Sequence, residues 1–177
     1  MAASKINLTT LKKHLQQASK EDLIEEISEL FKTFPAVKEY YQLKLNPETE
    51  QYVGESYKQK IENEFFPARG FGKARLSVAR KAVNDYKKVC RDPAALVDMM
   101  LFYVEQGVKF TDDYGDIDEP FYNSMESMFE SATKAIAKYG LHGVAERRCR
   151  NIVQNTSHMG WGFHDTLLEI YQETFGK

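Results

Sequence analysis

Two histidines near the carboxyl end of the chain are the side chains best suited to chemistry. His158 and His164 lie in the segment SHMGWGFHD, where two glycines flank Trp161, the only tryptophan, and Asp165 follows His164. An imidazole beside a carboxylate can act as a general base, and two imidazoles can bind a metal. A spacing of six residues does not place both on one helical face. A structural role for His164, in an apolar helical stripe with a satisfied ring nitrogen, is therefore the simpler interpretation.

Carboxylates between residues 112 and 130 form a second candidate set. TDDYGDIDE holds four aspartates within seven residues, and glutamates follow it at helical spacing. Clustered carboxylates suit a cation or proton transfer, but the calcium-loop spacing and the Glu-x-x-His pairs of di-metal bundles are absent. A capped turn and a solvated helix face are the simpler alternative. We predict no metal and no cofactor. The candidate functional cluster is Asp116, Asp118, Glu119, Glu126, His158, Trp161, His164 and Asp165.

A basic segment offers a third possibility, which is binding of anions or nucleic acid. FFPARGFGKARLS mixes aromatic rings with cations, so both phosphate contact and base stacking are conceivable. Its glycines match neither phosphate-loop pattern and no predicted strand precedes it, which favours a plain basic connector. The residues of this basic patch are Arg69, Lys73, Arg75, Arg80 and Lys81.

The helix that must position the acidic residues is the clearest in the sequence. Pro120 suits its first turn, Asp118 or Glu119 can cap it, and Gly140 supplies its end. Three serines spaced three and four apart, at 124, 127 and 131, would let a neighbouring helix approach closely. Apolar residues at the same spacing predict the buried face: Phe121, Met125, Met128, Phe129, Ala132 and Ile136.

Capping patterns predict further helices. Ser19 with Asp22 resembles a capping box, and the Asn-Pro and Asp-Pro pairs at 46 and 92 each place a polar cap before a first-turn proline. They predict helices over about 47–66 and 93–110, the second apolar nearly all round and therefore central.

The sequence contains no run of alternating β-branched residues bounded by turns. We therefore predict an all-α fold of eight to nine helices in antiparallel pairs. They would form a compact helical stack or a short irregular solenoid-like bundle, with residues 1–177 as a single domain.

Composition and charge narrow the class of protein. With 177 residues, 42% hydrophobic and 28% charged, the chain can bury a core of its own. No apolar leader or membrane-length apolar run occurs and only two cysteines are present, which predicts a cytoplasmic protein without membrane partners. Charge is segregated, since residues 58–91 carry ten Lys or Arg against three acids and residues 92–131 carry ten acids against one lysine. These blocks could pair within one chain or between two, and the oligomeric state stays open.

Three motifs carry a resemblance to a known family. FTDDYGDIDEPFYNSMESMF, TSHMGWGFHD and ENEFFPARG are similar to a family of small bacterial all-helical proteins described as a domain of unknown function. The resemblance spans nearly the whole chain and implies a helical fold, but it implies no activity, cofactor or catalytic residue. The run around SKEDL is similar to helical-repeat segments found beside zinc-finger modules, although the zinc ligands are missing here.

The absence of a recognisable catalytic motif favours a non-enzymatic role. We predict a protein-interaction module with an unidentified protein partner and a groove between the acidic turn 112–119 and the segment 158–165. A metal-assisted hydrolase using the Asp/Glu/His cluster is the alternative. Nucleic-acid or anion binding by segment 69–81 is a further alternative, against which a pI of about 6.1 argues.

Overall fold

The computed structural model describes residues 6–176, apart from the side chains of Pro47, Glu50 and Gln51. Within this part of the chain there are nine α-helices and no strand, which confirms the all-α prediction. Residues 1–5 and 177 of the predicted domain lie outside the described residues. The helices are α1 (Leu8–Gln17), α2 (Lys20–Thr33), α3 (Pro35–Leu45), α4 (Glu50–Phe65), α5 (Leu76–Val89), α6 (Pro93–Tyr114), α7 (Glu119–Tyr139), α8 (His142–Asn155) and α9 (Phe163–Phe175).

The centre of the fold is α6, as its apolar sequence predicts. It packs most extensively against α7 and also contacts α4, α5 and α8, while α9 lies on α7. Its buried residues include Val97, Leu101, Tyr103, Val104 and Val108. One cluster of buried apolar side chains extends from Leu43 of α3 to Leu167 of α9.

Both ends and the buried face of α7 follow the predicted pattern. Asp118 is the cap, and its Oδ1 accepts a hydrogen bond from the Phe121 amide at 2.9 Å. Gly140 ends the helix with φ of 68°, in the left-handed region that glycine adopts without strain. All six apolar residues of the predicted stripe are buried.

The serine line of α7 is contacted by side chains of two neighbouring helices. The guanidinium of Arg80, from α5, donates to the Ser124 carbonyl at 3.0 Å and to the Ser127 hydroxyl at 2.8 Å. A close contact between α6 and α7 also occurs at Gly107 of α6, where a Cβ would stand 2.2 Å from the Met125 sulfur. Ser124 faces α6 as well, since its hydroxyl lies 2.8 Å from that of Tyr103.

Two predicted boundaries are wrong by about one helical turn. The helix predicted to end near 110 continues to Tyr114, because Phe110 and Thr111 are buried and extend the packed face of α6 by one more turn. Only 115–118 remain non-helical between α6 and α7. The helix predicted from 47 begins at Glu50, after a 3-10 turn, Pro47–Thr49, which is closed by the Thr49 amide and hydroxyl on the Asn46 carbonyl.

A charged network joins α4, α6 and α8. The Arg148 guanidinium donates to both Glu105 oxygens at 2.6 and 2.7 Å and also to Asp98, which Lys58 contacts at 2.8 Å. Burial disfavours the ionised form of Asp98, but the hydrogen bond from Lys58 and the charge of Arg148 outweigh it and lower its pKa. The two charge blocks are thus partly neutralised inside one chain.

The charged network between α4, α6 and α8 makes the free energy of unfolding depend on pH. Because the folded pKa of Asp98 lies below its unfolded value, its contribution is present above about pH 4 and is lost as pH falls through the folded pKa. We expect Asp98→Asn to lower the free energy of unfolding by about 1 kcal/mol at pH 7, a value reduced for the half-exposed carboxylate. The difference from wild type should shrink below pH 4 in urea titrations.

Glu126→Gln is a control for Asp98→Asn, because the pKa of Glu126 is shifted in the opposite direction. Burial raises the pKa of its carboxyl, so ionisation opposes folding at neutral pH. Glu126→Gln should therefore be neutral or stabilising at pH 7, and its difference from wild type should also vanish in acid. Equal losses for the two variants at pH 7 would contradict this electrostatic account.

The loop between α4 and α5 folds back over the end of α4. The Ala74 amide donates to the Glu64 carbonyl at 2.8 Å, and a Cβ on Gly72 would stand 1.7 Å from the Phe65 carbonyl oxygen. Since the obstacle is backbone, a side chain at 72 requires the loop to move.

We expect Gly72→Ala to lower the free energy of unfolding by about 1–3 kcal/mol, as in other overpacked sites. The matched control is Gly143→Ala in α8, where a Cβ meets nothing within 4 Å. That control should leave stability unchanged or raise it by up to about 1 kcal/mol. Chemical denaturation of both variants checks the pair, and equal effects would contradict the argument.

Candidate functional site

Four parts of the chain meet at one end of the bundle, at a surface that we call the Trp161 surface. Its residues come from the end of α6, the turn before α7, the first turn of α7 and the loop before α9. They are Asp112, Asp116, Tyr122, His158, Gly160 and Trp161.

Asp116 connects the turn to the loop. Its Oδ1 accepts a hydrogen bond from the Tyr122 hydroxyl at 2.6 Å and another from the Gly160 amide at 3.2 Å. The bond from Tyr122, followed by that from the amide, lowers the pKa of Asp116, so the carboxylate stays charged. Tyr122 is buried, and burial together with Asp116 raises its pKa.

Trp161 is both strained and exposed. Its φ of 62° lies in the left-handed region, which costs a bulky residue about 1–3 kcal/mol. Its side chain is 62% exposed, so burial of the indole does not offset this cost. The backbone is held by its neighbours: Gly160 bonds to Asp116, and Phe163 is buried with its ring 4.8 Å from that of Tyr122. The loop therefore presents an indole to solvent in a fixed backbone conformation.

The two histidines are in different environments. His158 is exposed, and its Nε2 lies 2.9 Å from an Asp112 oxygen. His164 is half-buried in α9, where its Nδ1 lies 3.1 Å from both the Thr156 hydroxyl and the Val153 carbonyl. His164 therefore has the satisfied ring nitrogen that its structural interpretation requires.

The other members of the predicted cluster are more dispersed. Asp118 is engaged as the cap of α7, whereas Glu119 and Asp165 are exposed in the first turns of α7 and α9. Glu126 instead lines a groove of about 380 Å³ between α7 and α9, together with Glu169 and Glu173. The structure thus brings part of the cluster together at Asp116 and leaves Glu126 in a separate groove.

The hydrolase alternative needs carboxylates and histidines that converge on one point. Within residues 6–176, no three His, Cys, Asp or Glu side chains are arranged so that they could hold a metal ion. Its proposed members have other neighbours, since His158 faces Asp112 and His164 faces the end of α8. The described residues therefore provide no assembled centre for metal-assisted hydrolysis.

The basic patch is also divided among internal partners. Arg75 forms a two-pronged bond with the buried Glu64, at 2.8 and 2.7 Å, which lowers the pKa of that carboxyl. Arg80 lies against α7 as described above, and Lys81 pairs with Asp85. Arg69 and Lys73 are exposed on the loop. Three of the five cations therefore have partners within the chain.

Two side chains of the Trp161 surface, and the backbone amide of Gly160, are absent from the predicted cluster. Tyr122 follows Phe121 of the buried stripe, so the sequence indicates only that its ring packs in the core. It does not indicate that the hydroxyl donates to Asp116. The sequence pattern places Asp112 in a turn, whereas it lies in the last turn of α6 and reaches His158. Contacts across 44 residues of sequence, such as Asp116 to Gly160, leave no local pattern.

The fold and this surface define an all-α protein whose central helix pair supports an exposed, fixed tryptophan. The chain belongs to a family of unknown function, DUF6155, whose model matches residues 6–175. No curated protein and no solved structure matches it. No helix in the described part of the chain is both long and apolar enough to span a membrane.

The role of Asp116 can be tested through the single tryptophan. We expect Asp116→Ala to release the loop, because the Gly160 amide loses its acceptor, and Tyr122→Phe to have a smaller effect. Time-resolved fluorescence anisotropy should show a larger amplitude of fast indole motion in both variants. Asp113→Ala, an exposed acid one helical turn from Lys109, is the control. An unchanged decay in Asp116→Ala would show that other contacts hold Trp161.

Proposed function

We propose that the protein is a non-enzymatic interaction module that binds a partner protein through the Trp161 surface. The observation that carries the proposal is the exposed indole of Trp161 on a strained backbone that its neighbours hold in place. Strained residues persist where surrounding structure over-determines them, and they concentrate at functional sites. Tryptophan is also among the residue types most enriched at the energetic centres of protein interfaces.

The charges around the indole indicate the chemistry of the partner. Acidic residues 112, 113, 116, 118 and 119 are all exposed on the turn and the adjoining helix ends. A lysine or arginine placed over the indole face would gain a cation–π contact and would also meet these carboxylates. The proposed ligand is therefore a basic peptide segment of another protein, bound by an aromatic anchor within an acidic rim.

The state of the cysteines agrees with a reducing compartment, and we include the cytoplasm in the proposal. Cys149 is buried in the helical core and forms no disulfide within the described part of the chain. Burial raises the pKa of the Cys149 thiol to about 12, which keeps it in the unreactive thiol form.

A displayed random-peptide library tests this function and requires no identified partner. We expect the full-length protein to enrich peptides with Lys or Arg, and Trp161→Ala to weaken their binding at least about tenfold, as for other interface anchors. Phe71→Ala is the control, since that ring is 84% exposed but belongs to the basic loop. Binding should weaken as salt is raised. Enrichment of acidic peptides, or equal binding by both variants, would contradict the proposal.

A further inference from the structure

The amino-terminal helices carry apolar stripes that the chain itself does not cover. Neither α1 nor α2 has a buried side chain. Leu8 and Leu11 of α1 are 65% and 41% exposed, and Ile24 and Ile27 of α2 are 55% and 40% exposed. These spacings of three residues place each pair on one helical face. α2 contacts α3, whereas α1 has no extensive contact with any other helix in residues 6–176.

Both helices are nevertheless defined at their starts. Asn7 caps α1 by accepting from the Thr10 amide at 3.0 Å, and Ser19 with Asp22 forms the predicted capping box of α2. A ten-residue helix is marginal in water on its own, so packing of its apolar face is what stabilises such a helix. We therefore expect the apolar stripe of α1 to pack against another apolar surface of similar length.

α1 is basic and α2 is acidic, and their charged side chains do not pair with each other. Lys12 flanks the leucine stripe of α1, one turn after Leu8, and Glu26 flanks the stripe of α2 beside Ile27. α2 carries five acids against two lysines, whereas the charged residues of α1 are two lysines. None of the ion pairs within the described chain joins α1 to α2. α1 does not fold back along α2 of its own chain, since the two helices share no extensive contact.

We propose that a second copy of this chain covers these stripes, with α1 of each protomer packed on α2 of the other about a twofold axis. A twofold interface requires a surface that is complementary to itself. The basic α1 and the acidic α2 meet that requirement, because each copy offers both halves of the contact. The exchanged helices would form a small four-helix bundle apart from the Trp161 surface.

The charge pattern favours a second copy over a membrane surface. An amphipathic helix that binds anionic lipid carries lysine and arginine on its polar face. The five acids of α2 would be repelled by such a surface. Pairing of α1 with α2 instead satisfies both sets of charges at once.

Sedimentation velocity of the full-length protein over a range of concentrations tests the dimer. We expect a monomer–dimer equilibrium in which Leu11→Glu and Ile27→Glu each raise the dissociation constant at least about tenfold. These side chains are partly exposed, so the variants should keep the wild-type helical signal by circular dichroism. Val144→Glu, at an exposed apolar position of α8, is the matched control and should leave the equilibrium unchanged.

A charge exchange tests which helices meet. Lys12→Glu makes the flanks of both stripes acidic, and Glu26→Lys makes the flanks of both stripes basic, so each variant alone should dimerise more weakly than wild type. A mixture of the two should recover a mixed dimer, since the glutamate introduced at position 12 of one chain then faces the lysine introduced at position 26 of the other, and the unchanged Lys12 faces the unchanged Glu26. Recovery is expected at low salt and should fade as salt is raised.

Three results would overturn the proposal. The first is a wild-type monomer at all concentrations, and the second is a dimer unaffected by Leu11→Glu and Ile27→Glu. The third is a dimer lost in these variants without recovery in the charge-exchange mixture, which would reject the pairing of α1 with α2. Vesicles with and without anionic lipid, sedimented with the protein, detect the remaining occupant, and binding by a monomer would assign the stripes to lipid.

Discussion

The packing of α6 against α7 is the contact on which the rest of the fold depends. Gly107 has no side chain at the point where Met125 crosses α6, so the sulfur occupies the space that a Cβ would fill. This contact lets the two central helices bury their apolar faces against each other, and α4, α8 and α9 then pack around the pair. The start of α7, capped by Asp118, follows the turn that holds Asp116.

Residues 58–91 and 92–131 carry charges of opposite sign, and part of this charge is paired inside one chain. Lys58 meets Asp98, and Arg80 is engaged by hydroxyl and carbonyl groups of α7. Arg148, from outside both blocks, joins the acids of α6. Lys58 and Arg80 of the basic block therefore serve to hold helices together, and the charges exposed at the Trp161 surface are mainly acidic. A net charge close to zero conceals this uneven exposure.

The two candidate interaction surfaces differ in physical character. At the Trp161 surface, a strained backbone is held by a carboxylate, a buried tyrosine and a buried phenylalanine, so the indole is presented without the need to order a loop on binding. A preordered contact loses less conformational entropy when a partner binds. At α1 and α2, by contrast, the apolar stripes are regular helix faces whose exposure is costly until they are covered. The first surface suits reversible recognition, and the second suits self-association.

Local chemistry in the sequence determined the helices, the cap at Asp118, the end at Gly140 and the buried stripe of α7, because caps and apolar periodicity act within a few residues. It also placed His164 in a helix with a satisfied nitrogen and marked Trp161 as a candidate. The extension of α6 to Tyr114, the insertion of Arg80 and the bond from Gly160 to Asp116 were decided only by tertiary structure. Each depends on groups far apart in the chain, and no local spacing encodes which distant atom fills a hydrogen bond or a gap between helices.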